Sequence, residues 1–157
     1  LYLVSTVLIV FGILLGVVDR RAKQDKTLDD LTAKTGLIFG FGQALALIPG
    51  VSRSGATITT GRAMGFDRPS ATRYAFLLAI PAVLISGAYE ALKIGDQPNV
   101  SWGPTLLATV VAFGIGYMVI AWLIRYVSHG SFLPFVIYRI GLGSLVLVLL
   151  GTGVITT

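Results

Sequence analysis

Four stretches of this chain stay apolar over about the thickness of a bilayer, and that excludes an ordinary soluble fold. Leu1 to Val18 carries no charge at all. Ala71–Leu92, Pro104–Ile124 and Phe135–Ile155 follow it, the last interrupted only by Arg139 near its start. Each is close to the roughly 20 residues a transmembrane helix needs. Over the 157 residues, 55% are hydrophobic and only 12% charged, against roughly 25% charged in soluble domains. So little charge cannot cover a water-facing surface, and the solvent this surface suits is lipid. The expected fold is all-α: a polytopic helical membrane protein in a single membrane domain.

Between the first two spans lie two apolar segments of half length. Leu37–Ile48 is too short to cross, Pro49-Gly50 stops it, Ser52-Arg53-Ser54 follows, and Gly55–Phe66 is again short. Two half-segments around a Pro-Gly break predict a re-entrant helical hairpin over 37–66. The distribution of basic residues agrees. With a hairpin that leaves by the face it entered, the polar segment 19–34, the 66–70 link and the 125–134 link share one side. That side collects Arg20, Arg21, Lys23, Lys26, Lys34, Arg68 and Arg125, with Arg62, Arg73 and Arg139 close to it. The opposite side, at the 93–103 turn, holds Lys93 alone. The positive-inside rule makes the crowded side cytoplasmic and places the C-terminus outside. The net charge of +5 is thereby assigned to orientation, and nucleic acid is not expected as a partner. Gly12/Gly16, Gly36/Gly40 and Gly61/Gly65 stand four apart, a spacing that lets helices approach closely in lipid.

One stretch concentrates chemistry. Arg53 sits between the two half-segments, where burying a guanidinium costs about 2.5–3.5 kcal/mol on insertion scales. Its planar fork of donors suits phosphate oxygens. Ser52, Ser54 and Thr57 add hydroxyls, and a half-helix starting there turns its free N–H groups and positive dipole end toward the same space. Donors and positive partial charge converge, so the expected ligand is an anion, phosphate or pyrophosphate first. The motif is not a P-loop, because the Gly-Lys-Thr ending and preceding strand are absent. Gln43, inside the first half-segment, is expected either to reach the anion or to brace the hairpin. Glu90 reads as an interfacial carboxylate, and the single histidine, His129, as an ordinary loop residue. Trp102, Trp122, Tyr117 and Tyr126 read as interface anchors. There is no cysteine, hence neither a disulfide nor a thiolate metal site.

The run Gln43-Ala-Leu-Ala-Leu-Ile-Pro-Gly-Val-Ser-Arg-Ser-Gly-Ala-Thr57 resembles the second signature of the undecaprenyl-pyrophosphate phosphatase family, also called the bacitracin-resistance family. That signature is Pro-Gly-x-Ser-Arg-Ser-x-x-Thr, and Pro49, Gly50, Ser52, Arg53, Ser54 and Thr57 all match it. The stretch from Ala71 to Ala82 is similar to the family's next helix. The resemblance implies a helical bundle of inverted repeats with two re-entrant hairpins, this chain supplying one half. It implies removal of the terminal phosphate of undecaprenyl pyrophosphate, which recycles the lipid carrier for peptidoglycan and gives bacitracin resistance. It further implies dependence on a divalent cation such as Mg²⁺ or Ca²⁺, a bacterial inner-membrane location and a site opening toward the periplasm. Ser52, Arg53 and Thr57 match positions that the family assigns to its active site. Gly50, Gln43 and Ser54 are the accompanying candidates for holding substrate.

The family's other signature, a Glu-rich stretch followed by a Pro-Val-Ser-Ser-type turn and a histidine, has no counterpart here. The chain begins at Leu1 with an apolar run and is expected to be the C-terminal part of a longer protein. The metal ligands are expected in the absent half, and the isolated chain is expected to be inactive. A lipid-phosphate flippase, using broken helices and half-helix ends at the same site, is the alternative activity. A non-catalytic packing subunit is a further one. Oligomeric state, a homodimer included, is left open.

Overall fold

The computed structural model describes residues 1–95 and 101–155. Among them are six α-helices and no strand. Helix α1 covers Tyr2–Arg21, α2 Ala33–Ala44, α3 Arg53–Ala63, α4 Arg68–Gly95, α5 Trp102–His129 and α6 Leu133–Gly151. Four of them (α1, α4, α5 and α6) are long and apolar enough to cross a membrane. The chain is an all-α polytopic membrane protein.

Local sequence explains most of the boundaries. Arg20 and Arg21 occupy the last turn of α1, where cations complement the negative end of the helix dipole. A short 3₁₀ turn over Leu28–Asp30 is closed by Thr27 and Asp30. Thr32 then caps α2, accepting from the Thr35 N–H. The polar segment is therefore folded, and α2 starts at Ala33, before the expected Leu37. It stops being α-helical at Ala44 and tightens into a 3₁₀ turn over Leu45–Leu47 ahead of Pro49. Helix α3 begins at Arg53, two residues before the expected Gly55, because Ser52 caps it by accepting from the Gly55 N–H at 3.3 Å. Asp67 does the same for α4, taking the Ser70 N–H at 2.7 Å. Pro104 was expected to open the fifth helix, but Trp102 does so; proline is tolerated in that first turn because its N–H would lack an intrahelical acceptor anyway. That helix also runs on through the expected 125–134 loop to His129, leaving only Gly130–Phe132 as the link. Part of the expected 93–103 turn falls on residues 96–100, outside the described residues, and Lys93 itself lies within α4.

The hairpin of α2 and α3 returns to the face it leaves. The Lys26 N–H donates to the Gly65 carbonyl at 3.1 Å, and the Asp67 N–H donates to the Lys26 carbonyl at 2.8 Å. The polar segment that precedes α2 is thus stitched to the backbone that follows α3. Gly65 makes this turn at φ 92°, a left-handed conformation that glycine adopts without steric cost. At the other end, a Cβ on Gly50 would lie 2.5 Å from the Val4 carbonyl. The hairpin tip therefore sits against the far end of α1. From Asp19 to Val4 along α1 is about 22 Å at 1.5 Å per residue, against a hydrocarbon core of about 30 Å. The hairpin is long enough to reach past the middle of such a core from the Asp19 end.

Helix α6 lies antiparallel along α1. A Cβ on Gly12 would meet Arg139 Cβ at 3.2 Å, one on Gly16 would meet Val136 at 3.1 Å, and one on Gly143 would meet Ile9 at 2.6 Å. These are the close approaches that small residues permit between helices in lipid. An aromatic group ties the hairpin to α4: the Phe39 ring lies 5.3 Å from Phe66 and 4.6 Å from Tyr74 between centroids. The outer faces of α4 and α5 stay bare, with Leu84, Leu107, Val110 and Phe113 all exposed. Apolar faces that large suit lipid or another membrane-embedded surface.

Candidate anion site at the hairpin tip

The tip is built from residues 48 to 55. Gly50 takes φ 98°, and Ser52 takes φ 41°, the one non-glycine at positive φ among the described residues. Such a backbone costs on the order of 1–3 kcal/mol and persists only where surrounding contacts enforce it. Here its effect is to reverse the chain so that Ser52 caps α3 while Arg53 becomes the first residue of that helix. The first turn leaves the Arg53 and Ser54 N–H groups without intrahelical acceptors. Ser52 Oγ lies 3.5 Å from Ser54 Oγ. Two hydroxyls, two free N–H groups and a helix N-terminus thus gather at one point, and Arg53 leaves it as an exposed side chain.

Arg53 borders two different spaces. One is a cleft of mixed lining, about 640 Å³, that it shares with Gln43, Gly50 and Ser52 and with apolar residues including Leu47 and Ile48. The other is a groove of about 770 Å³ walled by apolar side chains of α4 and α5, including Ile80 and Phe113, with Arg73 also on its edge. Arg53 stands where a cleft of mixed lining meets an apolar groove.

The expected residues divide by position. Ser52, Arg53, Ser54, Gly50 and Gln43 come together at the tip. Thr57 is placed differently from a group that touches an anion. It is fully buried (0% exposed), and its hydroxyl donates back to the Arg53 carbonyl at 2.7 Å, fixing the first turn of α3. Gln43 braces the hairpin: its amide N–H donates to the Leu78 carbonyl of α4 at 3.4 Å, while its buried Oε1 has no partner among the described residues. His129 is exposed at the end of α5, with its ring beside the Arg125 carbonyl, far from the tip. Glu90 is exposed and pairs with Lys93 at 3.4 Å.

Two arginines carry more than their sequence positions suggested. Arg62, grouped with the basic face, is completely buried and bonded to Asp19. Arg139, also grouped with that face, is only 8% exposed and extends away from it. Its Nε donates to the Leu8 carbonyl at 3.4 Å and its Nη2 to the Gly50 carbonyl at 3.1 Å. Leu8 is about 16 Å from Asp19 along α1 at 1.5 Å per residue, roughly half the thickness of a hydrocarbon core. A charged residue inside a span is the available signal for such a role, and its nearness to the start of α6 masked it.

A divalent cation does not fit the groups that this chain brings to the tip. Hard cations take several oxygen ligands, carboxylates foremost. The tip offers hydroxyls, N–H groups, an arginine side chain and one unpaired acceptor, Gln43 Oε1. No cluster of three His, Cys, Asp or Glu residues suited to a metal occurs among the described residues.

The sequence profile described as Bacitracin resistance protein BacA matches residues 1–145. The chain belongs to the BacA family. Among curated relatives, an undecaprenyl-diphosphatase of Nocardioides sp. is 54% identical over 99% of this chain and 57% of its own length. One of Thermobifida fusca is 56% identical over 99% of the chain and 53% of its own length. A third, of Micrococcus luteus, is 55% identical over 99% of the chain and 58% of its own length. The chain thus spans somewhat more than half the length of these BacA-family relatives. The hairpin tip, with the Pro49–Thr57 signature, lies within the matched region.

Proposed function

We propose that this chain supplies the pyrophosphate-holding half of an undecaprenyl-diphosphatase, a membrane hydrolase that converts undecaprenyl pyrophosphate to undecaprenyl phosphate and inorganic phosphate. One observation carries the reading: Arg53 borders at once a cleft that holds Gln43 and Ser52 among apolar residues and a groove that is almost wholly apolar. A ligand that satisfies both is an anion on a long hydrocarbon, as an isoprenoid pyrophosphate is. The names of the relatives support the same substrate.

In this reading the head group lies over the first turn of α3. Arg53 donates to phosphoryl oxygens, Ser52 and Ser54 add hydroxyl donors, and the helix N-terminus adds its partial positive charge. Hydrolysis forms a water-oxygen-to-phosphorus bond and breaks the bond from the terminal phosphorus to the bridging oxygen. Charge grows on that bridging oxygen, and prepositioned donors lower the barrier by meeting it there. Thr57 acts at one remove, by holding the Arg53 carbonyl. Gln43 Oε1 remains as an acceptor for a protonated phosphate oxygen or for water. Among the described residues the tip carries no carboxylate or histidine, so in this reading water is activated by groups from outside the tip. The same holds for the ligands of any divalent cation.

The basic residues at the Asp19 end favour placing that end in the cytoplasm, with the re-entrant tip opening toward the periplasmic side of a bacterial inner membrane. The test is phosphate release from undecaprenyl pyrophosphate by the full-length protein in detergent, wild type against Arg53→Ala. Loss of such a donor typically costs on the order of 10²–10³ in rate. Release by Arg53→Ala at the wild-type rate overturns the reading. Movement of lipid across a bilayer without any phosphate release replaces it with a flippase.

A further inference from the structure

The ion pairs among the described residues are Arg62–Asp19, Arg68–Asp19 and Lys93–Glu90. Arg139 is in none of them, although it is only 8% exposed. Its two carbonyl partners satisfy Nε and Nη2, and no carboxylate among the described residues pairs with it. Nη1 has no protein acceptor among the described residues. It points at the first turn of α3, where a Cβ on Gly55 would fall 2.6 Å from it. Beside it is a recess of about 210 Å³ bordered by Ser52, Ser54, Gly55 and Arg139, with apolar walls that include Leu15 and Phe135. A cation without a carboxylate partner is costly inside a membrane span. A recess that adds two hydroxyls and the N-terminus of an 11-residue helix completes the requirements of an anion site.

Ser52 borders this recess and also the cleft of Arg53. The tip therefore presents one arginine on each side of a single serine. We propose that Arg139 is a second head-group-binding residue, taking one phosphoryl group of an isoprenoid pyrophosphate while Arg53 takes the other. This rests on the hairpin tip being the pyrophosphate site. The arrangement gives the site a means of telling diphosphate from monophosphate: only a diphosphate engages both cations. It follows that the dephosphorylated lipid loses one of its two anchors and is released.

Binding of farnesyl pyrophosphate, farnesyl phosphate and inorganic pyrophosphate to the full chain in detergent tests this directly. The wild type is expected to prefer farnesyl pyrophosphate to farnesyl phosphate by about tenfold to a hundredfold, the factor a charge-assisted hydrogen bond supplies. Arg139→Met is expected to abolish that preference, weakening farnesyl pyrophosphate binding far more than farnesyl phosphate binding. Gly55→Ala keeps the arginine but intrudes on Nη1, and is expected to reduce the same preference. Helicity and elution volume establish that each variant is folded. A preference that survives in both variants overturns the proposal, as does an equal loss of both farnesyl ligands, which reduces Arg139 to a brace for the loop. Dependence on Arg139 for inorganic pyrophosphate alone makes the ligand a free anion and overturns the head-group assignment. If the wild type binds none of the three, or Arg53→Met changes nothing, the tip is not a phosphate site and the underlying reading fails with it.

Discussion

Arg62 donates through Nε to Asp19 Oδ1 at 3.0 Å, and both residues are buried, at 0% and 5% exposed. The pair joins the end of α3 to the end of α1. Arg68, at the start of α4, donates to both oxygens of the same carboxylate, at 2.9 and 3.1 Å. Arg62 also reaches the Phe66 carbonyl at 2.7 Å and the Asp19 carbonyl at 3.1 Å. One carboxylate thus pins three helices where the hairpin closes. Removing one partner of a buried pair leaves an uncompensated charge and costs about 3–5 kcal/mol. Asp19→Asn is therefore expected to lower the thermal unfolding midpoint in detergent markedly, and Arg68→Met less, because Arg68 is partly exposed. An Asp19→Asn midpoint equal to that of the wild type would remove this cluster from the account of how the hairpin is held.

The donor set at the tip leads to a second expectation. Arg53, Ser52, Ser54 and the α3 N-terminus bind and polarise a phosphate, but none of them is a general base poised near neutral pH. The 157-residue chain alone is expected to release no phosphate from undecaprenyl pyrophosphate, with or without Mg²⁺ or Ca²⁺. Clear metal-dependent turnover by the purified chain would show that its own residues complete the site.

The α1–α6 contact makes a third. Because a Cβ on Gly16 would already press on Val136 at 3.1 Å, Gly16→Leu forces the helices apart. Overpacking of this kind costs about 1–3 kcal/mol. Gly40, where an added Cβ meets nothing within 4 Å, is the control, and Gly40→Leu is expected to leave the unfolding midpoint near that of the wild type. Equal effects at both positions would contradict the packing described for α1 and α6.

The membrane class, the four long helices and the hairpin were legible because length and apolarity in lipid are read almost directly from sequence. The turn at the tip was legible too, since a Pro-Gly break between two half-length apolar segments has few explanations. Boundaries were harder: α3 starts at Arg53 and α2 at Ala33 because the Ser52 and Thr32 hydroxyls fix them, a local effect that apolar runs do not register. Thr57 looked like a ligand for phosphate, yet a threonine four residues into a helix readily turns its hydroxyl back to a carbonyl. Arg139 and Arg62 were hardest. Each was counted as a basic residue near a face, and only tertiary contact separates a solvated arginine from one that bonds Gly50 or Asp19.

Ser52 provides the sharpest test, because stability and activity are expected to move in opposite directions. Its φ of 41° is unfavourable for a residue with a Cβ, at a cost on the order of 1–3 kcal/mol, and glycine avoids this. Losing the serine cap to glycine costs only a few tenths of a kcal/mol. Ser52→Gly is therefore expected to stabilise the chain by about 1 kcal/mol on these magnitudes. Ser52→Ala keeps the strain, loses the cap and is expected to destabilise by about 1 kcal/mol. Both variants remove the hydroxyl that borders the two recesses, so both are expected to lose phosphate-releasing activity in the full-length protein. Thermal midpoints and phosphate release measured on the same preparations decide it. A destabilised Ser52→Gly would mean that the backbone at the tip is unstrained, and full activity in both variants would take the Ser52 hydroxyl out of the site.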